Sequence, residues 1–193
     1  MNSFLSELFR PIYWGLPLIM LVAETTPAAD LLPADQAPAA PAFSETAPDR
    51  WLNGPPLNWD ALRGRVVLVD FWTFDCWNCY NSFPWLTDLE TRLKQQGLQV
   101  VGVHSPEFER EKVKASIVEK AKKFKLEHPI VIDNDMQTWR AFENRYWPAY
   151  YLVDRQGRVR SRFVGETHIG DHQAKAIEAV IKTLLAEEGP PVR

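Results

Sequence analysis

Val66-Val67-Leu68-Val69-Asp70-Phe71-Trp72-Thr73-Phe74-Asp75-Cys76-Trp77-Asn78-Cys79 is the stretch whose reading decides the fold. A continuous apolar run rich in β-branched residues is the pattern of a strand covered on both faces. After Cys79 the period changes. Phe83, Leu86, Leu89, Glu90 and Leu93 recur at three- and four-residue steps, which predicts a helix ending near Gly97. Cys76 therefore stands where a strand ends and a helix begins. The unpaired N–H groups of a helix N-terminus favour an anion, so they favour a thiolate over a thiol. The thiolate is the nucleophile of disulfide exchange, and Cys79, one turn further on, is placed to resolve a mixed disulfide at Cys76.

The chain has 193 residues, is 46% hydrophobic and carries a formal net charge of −3. That suits one domain with appendages, and the charge gives no reason to expect a nucleic-acid partner. Cys76 and Cys79 are its two cysteines. A bridge closing so short a loop constrains almost nothing in the unfolded chain, so the pair is redox chemistry or half of a metal site.

Working outward, Leu98 to Val103 reads as the next buried strand, so strand, long helix and strand form a parallel crossover. Pro84 lies inside the helix and removes one of its hydrogen bonds. Residues 109–124 predict an amphipathic helix with Val113, Ile117, Ala121 and Phe124 as its stripe and a lysine-rich outer face. A short strand at 129–133 and a helix at 136–142 follow. Tyr150 to Val153 and Val159 to Val164 form a hairpin around Asp154-Arg155-Gln156-Gly157, and a helix over 171–186 closes the chain. Upstream, Trp51-Leu52 reads as a short strand, and Asn58 caps a one-turn helix ending before Gly64. The fold class is α/β, a mixed central sheet with helices on both faces.

Residues 1–23 hold a short apolar run over 11–23, too short for a typical membrane span of about 20 residues. It reads as an export signal, with a retained membrane tether through 11–23 as the alternative. Residues 24–48 are rich in Ala and Pro and predict a disordered, semi-extended linker. The folded domain is expected over 49–189.

The run DFWTFDCWNC resembles the active-site segment of thioredoxin-like proteins, and Pro84 matches a proline of their following helix. The closer resemblance is to the exported TlpA/ResA-like branch and to the soluble redoxin domain of DipZ proteins. It covers roughly 55–186, and the block between Val103 and Trp147 is similar to that branch's helix–strand–helix insertion. The resemblance implies a thiol:disulfide oxidoreductase without cofactor or metal. Cys76 and Cys79 would form the redox-active disulfide. Asp70 would be a buried proton acceptor for Cys79, its pKa raised by burial. Pro148 would be cis and face the cysteines, so that the Trp147 backbone can pair with an extended substrate. Trp72, Trp77 and Trp147 are expected to surround the disulfide as substrate-binding side chains. The spacer Trp77-Asn78 holds no cation, which favours a reducing poise. An exported domain needs a source of electrons, and the resemblance implies a membrane thiol donor of the DsbD type acting on behalf of protein disulfide substrates, outside the cytoplasm.

Two other readings use the same residues. Thr73-x-x-Cys76 echoes part of a peroxiredoxin motif, although Val69 stands in the place of its proline. A metal-delivery module would draw on Cys76, Cys79 and a histidine, with His104, His128, His168 and His172 as candidates.

Overall fold

The computed structural model describes residues 31–189. Its centre is a six-stranded sheet. The strands are β1 (Trp51–Leu52), β2 (Val66–Trp72), β3 (Leu98–His104), β4 (Ile130–Ile132), β5 (Ala149–Val153) and β6 (Val159–Val164), in the order β1-β4-β3-β2-β5-β6. β2 pairs parallel with β3, and β3 parallel with β4; β1, β5 and β6 join antiparallel. All seven residues of β2 are buried, as a strand with layers on both faces must be.

Side chains alternate across that strand and supply two cores. Val66, Leu68 and Trp72 face α2 (Trp77–Leu93), α3 (Lys114–Lys123) and α5 (His172–Ala186). Val67, Val69 and Phe71 face α1 (Trp59–Leu62) and the Trp139 and Phe142 rings at α4 (Gln137–Ala141). Asp70 therefore shares the α2 face with Cys79. Local signals act where the sequence places them. The Asn58 side chain accepts the Ala61 N–H to start α1, and Asp171 accepts that of Ala174 to start α5. Gly157 takes φ 83° in the β5–β6 turn, a value that penalises residues with a Cβ.

Two expectations change. The loose linker expected over 24–48 is, from residue 31 onward, a packed strap. Leu32 N–H donates to Arg160 O, Val159 N–H to Pro38 O, and Ala40 N–H to Gly157 O, which covers the outer edge of β6. Phe43 then stacks on Trp59 at 5.2 Å and meets Trp51 edge-on at 5.6 Å. The two indole N–H groups close on Pro41 O and Glu45 O. Prolines forbid a helix here, but an edge segment uses their carbonyls and needs few of their donors. The ordered chain thus begins well before residue 49. Phe43→Ala should cost about 3 kcal/mol, read as a lower urea midpoint. An unchanged midpoint would mean that the strap adds nothing.

The single helix expected over 109–124 is two pieces. A 3-10 turn, Glu109–Lys112, is followed by extended Val113 (φ −75°, ψ 105°), and α3 starts only at Lys114. Val113 is half exposed instead of lying on the apolar stripe. The break follows from Glu111, whose carboxylate is drawn inward to Thr73. The signal or anchor read over 1–23 and the first part of the linker lie outside the described residues. No described helix is long and apolar enough to cross a membrane.

Candidate active site

Cys76 is the N-cap of α2, and it is disulfide-bonded to Cys79 with Cα atoms 5.3 Å apart. The Cys79 N–H points at Cys76 Sγ across 3.1 Å. One orphan donor of the helix start is thus aimed at the first sulfur, a geometry that suits a thiolate there. The two sulfurs differ in access: Cys76 is partly exposed, while Cys79 has no exposure. An incoming group can reach the first and not the second.

The β2–β5 register sets Phe71 opposite Ala149. One step further, it lays Trp147 and Pro148 alongside the residues that lead into Cys76. The Trp147–Pro148 peptide bond is cis, and Pro148 O accepts the Gly165 N–H. Trp147 is half-buried. Its indole donates to Ser105 O and its ring stacks on Trp139 at 4.2 Å. On the other flank, Ser82 Oγ donates to Asn78 O and accepts the Thr167 N–H, tying the loop after β6 to the first turn of α2.

Asp70 is 1% exposed, and its Oδ2 has no hydrogen-bond partner among the described residues. Burial pushes its carboxyl up from 3.8 to about 8. Its ladder neighbours are Gly102 and Tyr150, neither of which offers a cation.

The three tryptophans separate. Trp77 stands in solvent, 72% exposed, and Trp147 lines the rim. Trp72 does not: it is fully buried, edge-on to Phe83 at 5.5 Å and to His104 at 4.9 Å. Its place in the alternation of β2 points it into the core, so it packs beneath the site and offers no surface to a substrate. Five of the exposed large apolar side chains, Trp77, Phe108, Tyr146, Val164 and Ile169, lie on the turn after β2, the loops beside β3 and β5, and the end of β6. All of these belong to the end of the sheet at which β2 runs into the disulfide. An apolar rim of this kind is what a protein partner covers.

The histidines are spread out. His104 is buried, accepts the Phe74 N–H at 3.3 Å, and is pushed down to about 3 by burial. His128 is buried against Glu90, His168 pairs with Glu166 on the surface, and His172 opens α5. Among the described residues no three His, Cys, Asp or Glu side chains gather in a way that could hold a metal. Thr73, the residue shared with the peroxidase reading, gives its hydroxyl proton to Glu111 at 2.8 Å.

Two groups at the site have no counterpart in the sequence reading. Arg110 pairs with Asp75, next to Cys76. Glu111, fully buried, closes on Thr73 and on the backbone of its own loop. The one signal that pointed to Glu111 is Thr73 itself, a hydroxyl at the end of a buried strand that needs a partner.

Comparison with known proteins agrees with this geometry. The Redoxin family pattern matches residues 34–181. Protein DipZ of Mycobacterium tuberculosis is 40% identical over 156 residues, which are 77% of this chain and 22% of that protein, so the chain spans under a quarter of DipZ. The thiol-disulfide oxidoreductase YkuV of Bacillus subtilis is 31% identical over 142 residues, covering 74% of this chain and 92% of YkuV. A thioredoxin-like protein solved in solution in its oxidised form is 30% identical, with a TM-score of 0.66 over 78% of this chain and 96% of that one. The matched region begins inside the packed strap, crosses the Cys76–Cys79 turn and ends in α5; this chain belongs to the Redoxin family and has the thioredoxin-like fold.

Proposed function

We propose that the chain works outside the cytoplasm as a reductant of protein disulfides. Cys76 as thiolate attacks a substrate disulfide; one substrate sulfur leaves as thiolate and a mixed disulfide remains. Asp70, ionised, takes the proton from Cys79. The Cys79 sulfur then attacks Cys76 Sγ and expels the second substrate thiolate. Two electrons pass from the dithiol to the substrate. The Trp147 backbone, set in place by Pro148, pairs with an extended substrate segment, flanked by Trp77. The observation that carries this reading is the unequal access of the two sulfurs at the start of α2, within a rim of exposed apolar side chains.

Export is supported by the apolar run at 11–23, with residues 1–23 as signal or anchor and 49–189, extended back by the strap, as the working domain. Exported compartments are oxidising, so the dithiol needs renewal by a membrane thiol donor of the DsbD type. Equilibration of the Cys76–Cys79 couple with glutathione tests the direction. A potential near about −270 mV supports a reductant, and one near about −120 mV reverses the assignment to an oxidant.

A further inference from the structure

Glu111 has no role in the steps above, yet it is placed with care. It has no exposure. Its Oε2 accepts the Thr73 hydroxyl at 2.8 Å, the Phe108 N–H at 3.1 Å and the Glu107 N–H. Three donors on one oxygen suit a carboxylate. Its Oε1 is buried with no partner among the described residues. The turn it grips is the one that presents the nucleophile: the Cys76 N–H donates to Thr73 O at 3.4 Å. The same turn is held by Phe74 N–H on His104, Ser105 N–H on Trp72 O, and Asp75 on Arg110.

We propose that Glu111 is a positioning residue that sets the redox poise of the Cys76–Cys79 pair, its fixed negative charge behind the turn opposing the thiolate that the helix start favours. A thiolate disfavoured at Cys76 makes the dithiol less stable relative to the disulfide, and the couple more reducing. Among the charged and titratable groups around the turn, the exposed Arg110 guanidinium, paired with Asp75, also faces Glu111 and answers its charge in part. His104 stays neutral. Glu107 is exposed on the same loop, and Asp70 lies on the strand behind. Glu166 is paired with His168 and bonded to Asn81. Lys120 of α3 sits over the Tyr80 ring at 5.2 Å. Burial pushes the Tyr80 phenol up, Lys120 opposes, and the charges of Asp75 and, least, Glu111 add to the rise.

The assignment rests on Cys76 being the attacking thiol, and the test separates the two. In Glu111→Gln the amide oxygen still accepts from Thr73 but the charge is gone. The Cys76 thiol, followed by thiolate absorbance, should fall by roughly one pKa unit. In the exchange of the disulfide with two glutathione thiols to give dithiol and oxidised glutathione, the equilibrium constant should move about tenfold toward dithiol at a pH above both thiol pKa values, or about 30 mV. Well below those values it should hardly move. Glu111→Asp, which keeps the charge, should leave the thiol within a few tenths of wild type. The proposal is overturned if Gln leaves the thiol unchanged, if Asp moves it as far as Gln, or if the equilibrium moves equally at every pH, which marks a loosened turn. Should Glu111→Gln not fold, the wild-type thiol decides: a pKa below about 6 overturns the proposal and one above it supports it. If instead Cys76→Ser keeps full reductase activity, the proposed function fails and not the Glu111 assignment alone.

Discussion

A Cys76→Ser variant should lose disulfide reduction by at least about a thousandfold, while Cys79→Ser should stop after one chemical step with substrate attached to Cys76. The asymmetry follows from geometry. Cys79 has no exposure and cannot meet a substrate sulfur, whereas Cys76 is partly open and faces the Cys79 N–H. Serine at 76 keeps the shape but not the nucleophile, since a hydroxyl is far harder to ionise than a thiol. Without its partner at 79, the mixed disulfide waits for an external thiol. Insulin reduction followed by turbidity reads the first effect. Mass spectrometry of Cys79→Ser incubated with a disulfide peptide reads the second, as one peptide mass added per chain. The assignment falls if Cys76→Ser keeps a tenth of the rate, or if the adduct forms on Cys79 in that variant.

What the sequence made legible, and what it hid, divides along a physical line. β2, α2, the crossover to β3, the β5–β6 hairpin and α5 follow from side-chain periods and turn residues, which are local. Cys76 and Cys79 were readable for the same reason: their meaning comes from one strand–helix junction. The strap over 31–48 was hidden because its composition argues only against a helix. Nothing local reveals that Phe43 meets Trp51 and Trp59 or that Pro38 O finds Val159. Glu111 was hidden because its partner, Thr73, lies 38 positions away, and nothing in the period of residues 109–124 marks it as buried. Trp72 shows the opposite error. Its match to a tryptophan of the resembled motif suggested a place around the disulfide, but strict alternation along β2 turns it inward.

Asp70→Asn should make the protein more stable and less active, both in a pH-dependent way. In the folded chain burial holds the Asp70 proton up to about pH 8, while the unfolded chain releases it near 3.8. Between those limits the folded state binds one more proton than the unfolded state. Stability therefore falls as pH rises, by about 1.4 kcal/mol per unit; the contribution is whole below about pH 4 and spent by about pH 8. Asparagine has the shape of the protonated acid and nothing to lose. It should add roughly 4 kcal/mol at pH 7, little at pH 4, and flatten the slope between them, all readable from urea midpoints. Retaining an acid that costs stability makes sense only if the ionised form is used, as functional sites commonly sacrifice stability. Turnover of the wild type should accordingly climb toward pH 8, as more Asp70 becomes able to take the Cys79 proton. In Asp70→Asn that limb should vanish, with turnover down about a hundredfold at pH 8. A stability gain equal at all pH values would mean that Asp70 is not protonated when buried. Unchanged turnover would remove it from the resolving step and leave Cys79 to lose its proton to solvent.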